Sequence, residues 1–148
     1  MQKAYKLSIL YYLSFSILLI ISAVMLFELK IGFSIESILE YYIGNEEKFI
    51  SARDSGAIFK MILPHIYVFG LIAMVLLHFL VFTKHRFEKR TLTVIYTTLI
   101  SGFLEIFTPF GIIYGLKFFA YIKLLSFIVF LAIILYVIWL LFNSIIKD

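Results

Sequence analysis

Four stretches of this chain are each long enough and apolar enough to cross a lipid bilayer, and no other feature limits the fold as much. They run about Leu7–Phe27, Ile58–Thr83, Thr91–Ile113 and Phe118–Phe142. A hydrocarbon core about 30 Å thick needs roughly 20 apolar residues in a helix. Inside lipid each stretch must be helical, because backbone N–H and C=O groups find partners only within their own segment. Buried helices of a soluble bundle would carry polar stripes at a period of about 3.6 residues, and Leu124–Phe142 has none. Hydrophobic residues make up 64% of the chain, against about 45–50% in a soluble domain. The expected fold is all-α: one transmembrane domain over residues 1–148, a four-helix bundle in direct contact with the lipid bilayer.

Lys and Arg set the expected direction. The connection Lys84–Arg90 packs four basic residues into seven positions, and Lys3, Lys6 and Lys147 fall on the same side. Basic sides face the cytoplasm, so both termini are expected there, most naturally at a bacterial inner membrane. The connection Glu28–Lys60, with six acidic and four basic residues, lies outside. Tyr5, Tyr11, Tyr12, Tyr136 and Trp139 then cluster at the cytoplasmic interface, where amphipathic rings are favoured. The first apolar run is too long for a signal peptide and has no small-residue cleavage site, so it reads as a retained span.

The outer loop 28–57 has order of its own. Ile35, Ile38, Leu39 and Tyr42 fall on one helical face, which predicts a short amphipathic helix over the bundle mouth. Ser37 with Glu40 matches a capping box, and Ser34 serves equally as N-cap. Gly44 is placed to end the helix, and Asn45 to cap a second short helix through Glu46, Glu47 and Lys48.

Ionisable groups within spans cost a few kcal/mol each and are functional suspects. Counting depth at about 1.5 Å per residue puts His65, Glu105 and Lys123, from three different spans, in one layer just below the outer surface. A neutral His beside a Glu can hold a metal or a quinone carbonyl, or pass a proton. The structural alternative is that Lys123 snorkels to the headgroups, or that Glu105 pairs with Lys123 or Lys117. Tyr67, two residues beyond His65, joins the candidate site. His78 is a secondary candidate, with Thr93, Tyr96, Thr97, Ser14 and Ser16 as expected partners. It lies about 20 Å along the helix from His65 and about 140° around it. A two-haem helix needs its histidines on one face, about four turns apart, with partner histidines on another helix. That weighs against haem b in a monomer. Pro64 is expected in or near the first turn of its helix, and Pro109 is expected to bend or end the third span.

The chain has no cysteine, which excludes thiolate metal sites, Fe–S clusters and covalent c-type haem. It also has no phosphate loop, nucleophile elbow, HExxH pair or paired carboxylates within a span, and no soluble basic domain for nucleic acid.

The run Glu36-Ser37-Ile38-Leu39-Glu40-Tyr41-Tyr42-Ile43-Gly44-Asn45, followed by Pro64-His65-Ile66-Tyr67-Val68-Phe69-Gly70, resembles a group of small four-span proteobacterial inner-membrane proteins. These carry a Tyr-x-Gly-Asn outer loop and a His-x-His-x-x-Gly opening to the second span, and have no established activity. Larger members carry a cytochrome c-like insert, so the resemblance implies a setting in respiratory electron transfer. His65 and Gly70 match the pattern, whereas its second His is Tyr67 here.

Three functions follow. The first is a non-catalytic accessory protein or subunit, with a membrane-protein partner or a second copy of itself. The second is a haem- or quinone-binding redox protein using His65 and Glu105. The third is a small oligomeric transporter or channel.

Overall fold

The computed structural model describes residues 3–83 and 88–147. Among these, the order of elements is α1 (Lys3–Lys30), α2 (Ile35–Ile43), α3 (Ser55–Val81), α4 (Lys89–Ile113) and α5 (Phe119–Lys147). The helices α1, α3, α4 and α5 are long and apolar enough to cross a membrane, and the chain is an all-α, multi-pass membrane protein. Helix α1 extends beyond the stretch expected from hydropathy at both ends, α3 and α4 at their starts and α5 at its end, where helical hydrogen bonding continues into the flanks; α3 stops two residues short, at Val81. The short α2 covers one end of the bundle. The basic segment Lys84–Phe87, which includes His85, lies outside the described residues.

Helices in lipid gain little from hiding apolar surface, since the tails are as apolar as leucine; close packing and polar contacts hold them together instead. Accordingly, Leu18, Leu63, Leu99, Phe103, Leu125 and Ile128 stand exposed on the outside. Small residues line the contact where α4 meets α5, the most extensive helix pair. Thr98, Ser101, Gly102, Glu105, Thr108, Pro109 and Ile112 are buried along one face of α4. A Cβ on Gly102 would come within 3.1 Å of the Phe130 ring, and one on Gly111 within 2.5 Å of the Phe119 ring. Aromatic stacking ties the other spans to α5: Phe27 of α1 on Phe127 at 4.1 Å, and Phe69 of α3 on Phe130 at 4.6 Å. Helix α1 packs chiefly on α5, and near its start it also meets the far end of α3, where Tyr5 and Tyr12 lie edge-on to the Phe79 ring.

The cap over the α2 end is built by local hydrogen bonds. Ser34 is the N-cap: its hydroxyl accepts from Ser37 N–H, while Ser37 Oγ accepts from Ser34 N–H. The box therefore forms on Ser34 and Ser37, one turn earlier than the Ser37–Glu40 alternative. Ile38 and Tyr42 are buried against α4 and α5, with Ile35 and Leu39 partly so, as the apolar face requires. Gly44 ends the helix at φ +81°, and a Cβ there would sit 2.5 Å from the Ile50 carbonyl oxygen.

The expected second helix after Asn45 does not form. Asn45 and Ile50 instead exchange backbone hydrogen bonds of 2.8 and 2.9 Å across a tight turn. Asn45 Oδ1 accepts from the Glu47 and Lys48 amides inside that turn. Glu40 Oε1 collects Asn45 Nδ2 and Lys48 Nζ, each at 2.6 Å, and Arg53 lies over the Tyr41 ring at 4.0 Å. Asp54 then caps α3 through Ala57 N–H. That cap starts α3 at Ser55, so Pro64 stands in the helix interior and not in its first turn.

The hydrogen bonds from Lys48 and Asn45 hold the Glu40 carboxyl below its ordinary value. A depressed carboxyl stabilises the turn fully above its unfolded pKa, and the effect is lost as pH falls through the lowered folded value. Protection of the Ile50 amide, measured by hydrogen exchange and corrected for intrinsic rate, should therefore hold from neutral pH to about pH 5 and fall in stronger acid. Glu40→Gln should remove that step.

Candidate functional site

Pro109 is the residue from which the site is best understood. In an α-helix each carbonyl accepts from the N–H four residues on, and proline has no N–H. Pro109 therefore leaves the Glu105 carbonyl without its helical donor, yet α4 continues to Ile113. Lys123, reaching across from α5, takes the place of the missing amide. Its Nζ donates to the Glu105 carbonyl oxygen at 2.7 Å and to Glu105 Oε1 at 2.5 Å. One ammonium thus neutralises the carboxylate and restores the partner that the proline removed. Both side chains are deeply buried, with Glu105 and Lys123 each 4% exposed. Lys123 is neither snorkelling nor free, and Glu105 chooses it over Lys117.

The pair forms part of the wall of a cavity of about 370 Å³ beneath α2. Helix α2 contributes Tyr41 and Tyr42, α3 contributes Met61, Pro64 and His65, and α1 contributes Ser22, Leu26 and Lys30. Leu26, Lys30, Pro64 and His65 line it and are themselves exposed, so the cavity opens between α1 and α3, at the end away from the Tyr5 and Tyr12 contacts with Phe79. It is apolar apart from a few groups. Two of these lack any hydrogen-bond partner although buried: Glu105 Oε2 and the Tyr42 hydroxyl. Tyr42 is 0% exposed. Burial pushes its hydroxyl well above the ordinary tyrosine value, and the Glu105 charge raises it further, so it remains a protonated donor.

His65 Nδ1 sits 2.6 Å from the Met61 carbonyl oxygen. A carbonyl only accepts, so Nδ1 carries the proton and Nε2 is left with a free lone pair. The depth count thus places three predicted residues correctly in space: His65, Glu105 and Lys123 line one cavity. Tyr67 is not among them. It is 72% exposed, because two residues along a helix turn the side chain about 200° away from His65.

His78 is exposed, with its ring edge-on to Phe82 at 5.0 Å. Two of the partners expected for it are otherwise engaged: Ser14 and Ser16 bond the Leu10 and Tyr12 carbonyls of their own helix. Among the described residues, no three His, Cys, Asp or Glu side chains converge as metal ligands. Sequence reasoning missed Tyr42 and Lys30 as cavity residues. Tyr42 was visible as part of the apolar face of α2, but where its hydroxyl would end up was not.

Residues 32–148 match a family of transmembrane helical domains. No curated protein and no solved structure matches the chain.

Lys123→Met should be costly, by about 3–5 kcal/mol, because it strands a buried charge together with a buried carbonyl. Pro109→Ala returns an N–H to that carbonyl. In a double-mutant cycle it should therefore lessen the cost of Lys123→Met by about 1 kcal/mol. Reversible unfolding in bicelles measures both. Strict additivity of the two changes would show that Lys123 does not stand in for the missing amide.

Proposed function

The chain belongs to the Aq_1264_TM family of transmembrane helical domains, and on that premise we propose that it is a non-catalytic accessory protein or subunit of a larger membrane assembly. In this reading it forms a single domain in a bacterial inner membrane, with both termini cytoplasmic and α2 outside. The partner is another membrane protein or a second copy of the chain, and the setting is respiratory.

One observation carries this reading. The buried acid and base, Glu105 and Lys123, are bonded to each other, and Lys123 also to the Glu105 carbonyl, an arrangement that fixes α4 to α5. A general acid or base has to be free to reach a substrate proton, and Lys123 has two N–H groups already engaged. The broad apolar exterior, with Phe103, Phe107, Tyr121 and Leu125 exposed, offers lipid or a neighbouring helix a surface of the same character. The basic segment Lys84–Arg90 and the acidic outer connection support the orientation.

Because the chain is free of cysteine, single cysteines report topology without background. Glu46→Cys should react with a membrane-impermeant maleimide in intact spheroplasts, and Lys3→Cys only after lysis; the reverse pattern would invert the orientation. Crosslinking in native membranes, followed by purification, should recover the chain with a membrane-protein partner, or a second copy, at fixed stoichiometry. A chain recovered alone, conducting in liposomes and silenced by Glu105→Gln, would replace the accessory reading with a transporter. A Soret band in the purified protein would replace it with a haem protein using His65.

A further inference from the structure

The cavity beneath α2 has a chemical preference that the accessory reading neither requires nor explains. Its volume of about 370 Å³ falls in the range of small-molecule sites, roughly 300–1,000 Å³. Its walls are apolar, and it opens to lipid between α1 and α3. An occupant therefore arrives from the bilayer and carries an apolar tail.

The head group is specified by the polar atoms left over once the protein's own bonds are counted. Lys123 donates to Glu105 Oε1 and to the Glu105 carbonyl, which leaves Oε2 as a buried acceptor with no donor. The Tyr42 hydroxyl is equally buried and unpartnered, and Tyr42 and Glu105 line the same cavity. His65 Nε2, with its proton fixed on Nδ1 by Met61, adds another acceptor. One group that both donates and accepts satisfies the deepest two: an O–H that gives its proton to Glu105 Oε2 and takes one from Tyr42. A carbonyl has no proton to give and would meet Oε2 lone pair against lone pair. An ammonium would donate, but it would face Lys123 beside the carboxylate and Lys30 among the lining residues.

We propose that this cavity binds a hydroxyl-headed lipid, its O–H bridging Glu105 Oε2 and the Tyr42 hydroxyl and its tail lying between α1 and α3. Two kinds of membrane molecule present that chemistry: a quinol, through a phenolic O–H, and an aliphatic lipid alcohol such as a monoacylglycerol.

The test uses the full chain in nanodiscs, with thermal unfolding as the readout, since a ligand that binds only the folded state raises Tm. The probes are a short-chain ubiquinol, the same compound oxidised, and monooleoylglycerol. The expected result is a concentration-dependent rise with at least one hydroxyl probe and none with the oxidised quinone. A rise with quinol alone assigns the phenolic source, and a rise with monooleoylglycerol the lipid source. Tyr42→Phe should weaken the effective probe by about tenfold. Because the Tyr42 hydroxyl has no partner within the protein, that variant should unfold without ligand at or above the wild-type temperature, which separates lost binding from lost fold. Equal stabilisation by the oxidised quinone, no response to either hydroxyl probe, or unchanged affinity in Tyr42→Phe would overturn the proposal. None of these readouts involves a copurifying partner, so the accessory reading stands or falls separately.

Discussion

A proline in a transmembrane helix raises an accounting problem, because the carbonyl it frees finds no donor in lipid and has to be given one from elsewhere in the structure. Here the solution comes from a neighbouring helix. The Lys123 ammonium supplies the donor that Pro109 lacks, and Glu105, one turn before the proline, supplies the charge that makes an ammonium tolerable in that place. None of the three is sensible alone: Lys123 without Glu105 is an unpaired buried cation, Glu105 without Lys123 an unpaired anion. With Lys123 gone, Pro109 would leave an orphaned carbonyl. Together they pin α4 to α5 at a defined register, and the small residues Thr98, Ser101 and Gly102 allow the two backbones to close along the rest of their length. Phe127, one turn beyond Lys123, then presents the ring on which Phe27 of α1 stacks.

The same clamp explains why there is a cavity at all. Because Lys123 is drawn toward α4, it does not fill the space beneath α2. Because α1 meets α3 through Tyr5 and Tyr12 only toward the other end of the bundle, a gap stays open between them beside the cavity. The roof is α2, whose one-sided burial through Ile38 and Tyr42 brings the tyrosine into the cavity wall. An apolar chamber with a single reactive corner follows from these packing choices, and the corner is polar for structural reasons first. Its capacity to hold a head group comes from what the clamp leaves over: one carboxylate oxygen.

How far the sequence could be read follows from the range of each interaction. The spans were legible because hydropathy over about 20 residues needs no tertiary information. The common layer of His65, Glu105 and Lys123 was legible because helical rise converts residue number into depth. The face of α2 was legible from its period, and Gly44 from the conformation only glycine adopts at low cost. What could not be read was azimuth and reach. Tyr67 looked like a neighbour of His65 in sequence, but rotation about the helix carries it to lipid. Helix α3 starts three residues ahead of the apolar stretch because Asp54 caps it there, which sets Pro64 deeper in the helix interior. Asn45 was assigned to a helix when its backbone was committed to Ile50, a pairing visible only once the chain turns back.

Glutamate followed four residues later by proline is the pattern that specifies this corner. Taken separately, Glu105 suggests a proton site and Pro109 a bend or an end to the span, and the helix does not end there but runs on to Ile113. Taken together they specify a carbonyl and a carboxylate on the same turn, both short of a donor, and so call for a cation from another helix at that depth. Lys123 is such a cation. The polar groups of the site other than Ser22 and Lys30 lie within residues 32–148, the stretch shared with the family, whereas α1 adds mostly apolar wall. The chemistry of this bundle thus belongs to α2–α5, and α1 governs how that chemistry meets the lipid.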